Sequence, residues 1–92
     1  MNAFIVVGKF HGEENSNSWN VKFSLDKHVA QLEADRLNNL LAFYLETCIV
    51  DTGRQSQADY MALEYSMQQH DPRFFTNRYA TVEYVVEGIQ GI

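Results

Sequence analysis

The stretch Trp19-Asn20-Val21-Lys22-Phe23-Ser24-Leu25 alternates strictly, with Trp19, Val21, Phe23 and Leu25 on one side and Asn20, Lys22 and Ser24 on the other. A period of two is that of an extended chain with one wet face, so this segment is expected to be a strand. Before it, Ala3 to Phe10 (AFIVVGKF) is nearly continuous in apolar residues, too short for a buried helix and bounded by Gly12, which predicts a strand in a central position. Between the two, His11 to Ser18 (HGEENSNS) has no apolar residue and reads as a solvated, mobile hairpin loop. Near the C-terminus Tyr79 to Glu87 alternates again, with Ala80, Val82, Tyr84 and Val86 opposed to Thr81, Glu83, Val85 and Glu87. The tail GIQGI carries no readable pattern.

The middle of the chain changes period. Ala30, Ala34, Leu37, Leu41, Tyr44 and Cys48 recur at spacings of four and three, widened by Val29, Leu40 and Leu45, with Gln31, Asp35, Asn38, Asn39 and Glu46 opposite. That is an amphipathic helix, and Asp26 before it is a suitable N-cap, since a short carboxylate accepts the first free amide hydrogens. Asp51-Thr52-Gly53 is its expected end, glycine being able to take the left-handed conformation that closes a helix. A second helix is expected from about Ser56, with Asp59 in its first turn, until Pro72 stops it. In this helix Ala58, Met61, Ala62 and Tyr65 make one apolar face, while Tyr60, Leu63 and Met67 lie nearly opposite.

The order strand, strand, helix, helix, strand predicts an α+β fold, ββααβ: a three-stranded antiparallel sheet with two helices packed on one face. The first two strands form a hairpin and the last pairs with the first. At 92 residues the chain is one domain, residues 1–92, with no room for a linker. Its 46% apolar and 13% aromatic content is that of an ordered globular protein.

Charge then narrows the partners. Twelve Asp and Glu against seven Lys and Arg give a net charge of −5, a field that repels phosphate backbones and favours approach to basic protein surfaces. Free DNA is therefore not an expected partner, and the acids are too interspersed for a mimic of the DNA duplex throughout. The single cysteine, Cys48, has no internal partner, and MNAFIVVGKFHG lacks the basic region and long apolar run of a signal peptide. With no run long enough to span a bilayer, a soluble cytoplasmic protein without a membrane partner is expected.

No catalytic constellation stands out. His11, His28 and His70 lack Cys or His neighbours at metal-ligand spacing, there is no GxSxG elbow, and neither Gly8 nor Gly12 opens a phosphate-binding helix. Cys48 lies on the apolar stripe as a small core residue. The expectation is no enzyme, no metal and no cofactor.

Recognition remains, and three surfaces compete for it. Asp71-Pro72-Arg73-Phe74-Phe75-Thr76-Asn77-Arg78 sets two rings between two arginines in a loop. Rings beside arginine are the chemistry of a protein hot spot and of base stacking, which makes Arg73, Phe74, Phe75, Asn77 and Arg78 candidate contacts. The competing reading has one or both rings closing the core beneath the loop. Tyr60, Leu63 and Met67 form an exposed stripe if the second helix packs only through its other face, and are buried if the helix is wedged between neighbours. The open sheet face is expected to carry Ile5, Val7 and Lys9, then Asn20 and Lys22, with Thr81, Glu83, Val85 and Glu87, and Lys9, Lys22, Lys27 and Arg78 to give that side a local basic patch.

The run FIVVGKF, a polar turn, WNVKFS, a long helix from LDKHVAQLEADRL, a second helix and a closing strand YATVEYVVEG resembles the small orphan proteins of bacteriophages. In size, acidity, absence of motif and single-domain architecture it is similar to phage-encoded anti-CRISPR proteins, especially inhibitors of type I surveillance complexes. The resemblance covers the whole chain, and because these families share no motif it carries no residue over. It implies a non-enzymatic inhibitor in the bacterial cytoplasm that binds the protein subunits of a guide-RNA complex and blocks target DNA binding or hybridisation, with direct contact to the guide RNA left open. A different class, a structural protein that self-associates as a homodimer through the open sheet or the Tyr60, Leu63 and Met67 stripe, stands as the alternative.

Overall fold

In the computed structural model, residues 2–49 and 57–89 are described. Five elements follow in order: β1 (Ala3–Gly12), β2 (Ser16–Ser24), α1 (Lys27–Cys48), α2 (Gln57–Gln68) and β3 (Ala80–Ile89). The strands form one antiparallel sheet in the order β2-β1-β3, so the apolar first strand is central and the last strand pairs with it. This is the ββααβ, α+β arrangement expected from the pattern. Among the described residues no helix is long and apolar enough to cross a membrane.

The hairpin is tighter than the polar run between its strands implies. β1 and β2 pair from Phe4↔Ser24 out to His11↔Ser16, and the Gly12 amide donates to the Asn15 carbonyl at 2.9 Å. The expected mobile loop from His11 to Ser18 is therefore a short turn around Glu13, Glu14 and Asn15. Backbone pairing needs no apolar side chain, so solvated strand ends leave no alternation in the sequence. His11 is accordingly a strand residue, and its Nε2 lies 2.9 Å from Glu83 Oε1 on the neighbouring strand.

A β-bulge corrects the reading of β2. The register steps from Val6↔Lys22 to Val7↔Asn20, which leaves Val21 without a partner. Because partners across a ladder share a face, the extra residue reverses the alternation beyond it. Trp19, opposite Gly8, faces the helices; Phe23, opposite Ile5, faces away from them and is 60% exposed. Lys22 moves in the opposite sense and, paired with Val6, stands on the helix side near Glu33.

α1 lies across the sheet and packs on all three strands and on α2. Asp26 caps it as expected, its Oδ1 accepting from the His28 amide at 2.8 Å. Ala30, Ala34, Leu37 and Leu41 are its buried residues, and with Val6 and Tyr84 from the sheet they make the core. The small alanines let the helix backbone approach the strands closely. α1 ends at Cys48, with Ile49 as an extended C-cap, short of the expected end at Asp51 to Gly53; those residues and the expected start of the next helix at Ser56 lie outside the described residues.

α2 buries Tyr60, Leu63 and Met67, which join the same core, whereas Met61 and Tyr65 are 59% and 70% exposed. Of the two alternatives for this helix, the one in which Tyr60, Leu63 and Met67 are buried is therefore the one observed, and they form no exposed stripe. The two sets are close in apolar size, Tyr, Leu and Met against Met, Tyr and two alanines, so packing against α1 decides which side is buried.

Candidate functional site

The connection from α2 to β3, residues 69–79, holds the arginine-flanked rings, and it is pinned along its length. Asp71 is only 1% exposed, and its carboxylate gathers three donors. The Trp19 indole N–H and the Tyr84 hydroxyl both donate to Oδ2 at 2.8 Å, and the Arg73 amide donates to Oδ1 at 3.2 Å. One side chain thereby ties β2, β3 and the connection together. A buried carboxylate is tolerable because its lone pairs are occupied. The same carboxylate acts back on Tyr84: burial first, then the hydrogen bond and charge of Asp71, hold its phenol well above the usual tyrosine range.

Further bonds fix the rest of the segment. The Phe74 amide donates to the Asp71 carbonyl at 3.0 Å, and the Gln68 side chain donates to the Phe74 carbonyl at 3.0 Å. The Thr76 amide donates to Glu64 Oε1 at 3.1 Å, and the Tyr79 amide to Asn77 Oδ1 at 2.8 Å.

The two phenylalanines have different fates. Phe74 is 1% exposed and belongs to the core, so it is not available to a partner in the folded protein. Phe75 is half-buried, stacked on Phe10 with ring centroids 4.4 Å apart and tilted on Trp19 at 5.2 Å. Phe10, Trp19 and Phe75 close the hairpin end of the sheet. Gly8 is part of this arrangement, since a Cβ there would lie 2.5 Å from Cε2 of Trp19.

Above these rings an open cleft of about 660 Å³ separates the hairpin turn from the connection. Phe10, Phe75 and Tyr79 are its aromatic lining residues, and Glu13, Glu14, Asn15, Asn17 and Asn77 line it as well. Phe75 and Asn77 are thus brought together at the cleft. Arg73 and Arg78 are exposed, and the Arg78 guanidinium sits 4.9 Å from the centre of the Tyr79 ring. Glu13 and Glu14 were not singled out in the sequence, where they read as ordinary turn residues.

The lysines do not share a surface. Lys9 projects from the open sheet face and pairs with Glu87 at 3.2 Å, Lys22 stands on the helix side, and Lys27 begins α1. The expected basic patch of Lys9, Lys22, Lys27 and Arg78 is therefore divided, because the bulge sends Lys22 to the opposite face from Lys9.

Two other polar groupings lie on the surface. Arg36 donates from Nε and Nη2 to Glu33, at 3.1 and 2.6 Å, which holds the Glu33 carboxyl below its ordinary value and raises Arg36. Tyr44 stacks on His70 with centroids 6.4 Å apart, and Arg36 Nη1 lies 3.5 Å from His70 Nδ1. Among the described residues no group of three or more His, Cys, Asp or Glu is gathered as a metal ion would require. No protein-family model, curated protein sequence or solved structure matches the chain.

Proposed function

We propose that the protein is a non-enzymatic binding protein that docks on a basic, nucleic-acid-binding surface of a partner protein. Following the resemblance to anti-CRISPR proteins, the partner in this reading is a CRISPR guide-RNA surveillance complex, kept by the docked protein from binding or hybridising its target DNA. The observation that carries the docking reading is the cleft at the hairpin end. Its stacked Phe10 and Phe75 rings and the Glu13 and Glu14 carboxylates match an arginine or lysine side chain, whose stem lies on apolar surface while its charge meets the acids. The connection that forms one wall is already hydrogen-bonded in place, so little ordering accompanies docking. The net charge of −5 steers the protein toward such a surface.

The test is capture of a purified type I surveillance complex on the immobilised protein, followed by target-DNA binding of the captured complex. Glu13→Gln combined with Glu14→Gln, at exposed turn positions, is expected to weaken capture by about tenfold or more. Failure to capture the complex overturns the partner assignment; capture with unchanged affinity by the double variant overturns the cleft as the contact.

A further inference from the structure

The lining of the cleft between the hairpin turn and the connection discriminates among cations. Phe10 and Phe75 lie nearly parallel, with an interplanar angle of 29° and centroids 4.4 Å apart. A planar cation extends such a stack, whereas a round ammonium group is gripped best by a cage of ring faces, which two parallel rings do not make. Tyr79, the third lining ring, already carries a guanidinium, since that of Arg78 lies 4.9 Å from its centre.

The charge beside these rings is uncompensated. Other carboxylates are engaged: Glu33 by Arg36, Glu83 by His11, Glu87 by Lys9 and Glu64 by the Thr76 amide. Glu13 and Glu14, exposed residues of the lining, form no ion pair among the described residues. Adjacent like charges on a short turn repel each other, and a cation in the cleft relieves that repulsion. They also turn away phosphate, so a nucleotide whose base could stack on the rings brings a charge that the site opposes. Asn17 and Asn77 are held by accepting the Ser18 and Tyr79 amides at 2.9 and 2.8 Å, and each oxygen keeps a second lone pair.

We infer that the cleft is an arginine pocket, which takes the guanidinium of an arginine on the partner protein in preference to the ammonium of a lysine. The inference rests on the docking reading above and narrows it. A guanidinium offers the rings a flat face and the surrounding acceptors five N–H donors in its plane, while an ammonium is compact, more strongly hydrated and unable to stack.

The test is a titration of the whole, isotope-labelled protein with acetyl-Gly-Arg-Gly-amide and acetyl-Gly-Lys-Gly-amide at matched ionic strength, followed by nuclear magnetic resonance. The arginine peptide is expected to shift the amide signals of Glu13, Glu14, Asn15 and Asn77 and to bind about threefold or more tightly than the lysine peptide. Tyr79→Leu, at a position 60% exposed, is expected to reduce that preference, and Met61→Ala on α2 to leave it unchanged, with circular dichroism establishing that both fold. Equal affinity for the two peptides overturns the inference and leaves the docking reading standing, because capture of a surveillance complex tests that separately. Shifts confined to residues outside the cleft, or none with either peptide, overturn both the pocket and the cleft as the docking site. Adenosine monophosphate is expected to produce no response, and tighter binding of it than of the arginine peptide would assign the rings to base stacking instead.

Discussion

The side chain of Asn38 pairs with the backbone of Tyr84 in both directions: Oδ1 accepts from the Tyr84 amide at 2.8 Å, and Nδ2 donates to the Tyr84 carbonyl at 2.9 Å. Tyr84 lies on β3, an edge of the sheet, where the outward N–H and C=O groups would otherwise be open to another strand. An amide on the helix thus does what a neighbouring strand would do, and it fixes the position of α1 along the sheet. Replacing Asn38 by alanine removes both bonds and is expected to cost about 2 kcal/mol, read as a shift of the urea midpoint. Asn38→Asp loses only the donor, yet sets a carboxylate against a carbonyl, so it is expected to be no better. Light scattering under mild destabilisation should rise in both variants as the strand edge opens.

Gly8 and Trp19 make the second prediction. The Cβ of an alanine at position 8 would fall 2.5, 2.6 and 2.7 Å from Cε2, Cζ2 and Nε1 of the indole, so the ring must move away from Asp71. Loss of the indole hydrogen bond and overpacking together are expected to cost about 3 kcal/mol. The chain has one tryptophan, so its fluorescence reports the change directly. A red-shifted native spectrum is expected in Gly8→Ala, and an unchanged spectrum would refute the displacement.

Asp71→Ala leaves the indole N–H and the Tyr84 hydroxyl facing a space with no acceptor. Both donors are buried, and the expected loss is about 3 kcal/mol or more. Asp71→Asn keeps one oxygen but points an NH₂ at the remaining donors, and should fall between the wild type and alanine.

The same group sets a pH dependence. Tyr84 is held protonated above its ordinary value of 10.0, chiefly by burial and then by Asp71. A group whose folded value is raised contributes stability that is intact below the unfolded value and is lost as pH rises above it. Stability is therefore expected to fall above about pH 10, by up to about 1.4 kcal/mol per pH unit from this residue. Lysines titrate nearby, so the measurement is the difference between wild type and Tyr84→Phe. The variant should show the shallower alkaline decline, and parallel curves would exclude Tyr84 as the source.

The sequence was legible where pattern and structure share a period. The alternation of Tyr79 to Glu87 and the spacing of Ala30, Ala34, Leu37 and Leu41 correspond to β3 and the buried side of α1. It was illegible where one residue changes the count. Nothing in WNVKFS marks Val21 as unpaired, yet that single insertion exchanges the faces of Lys22 and Phe23. On α2 both faces are apolar, so periodicity gives no preference and the neighbouring helix decides. Asp71 reads as the start of a turn before proline, and its burial depends on Trp19 and Tyr84, which only the fold brings to it. The cleft was half legible, since Phe75 and Asn77 drew attention while Glu13 and Glu14 come from a turn far away in sequence.

The arginine-flanked pair Phe74 and Phe75 gives the last prediction, because each ring answers a different question. Phe74 is enclosed by the core, so Phe74→Ala creates a cavity and is expected to cost about 4 kcal/mol. Phe75 keeps one side toward the cleft while stacking on Phe10 and Trp19, so Phe75→Ala loses ring contacts without a closed cavity and is expected to cost about 1–2 kcal/mol. Urea titrations of the two variants measure the ordering. Equal losses would mean that Phe75 is as much a core residue as Phe74, leaving Phe10 and Tyr79 as the cleft's aromatic lining. A clear gap leaves Phe75→Ala as a folded protein in which the ring's part in partner binding is measurable, whereas a loss of binding in Phe74→Ala would report only the loss of the fold.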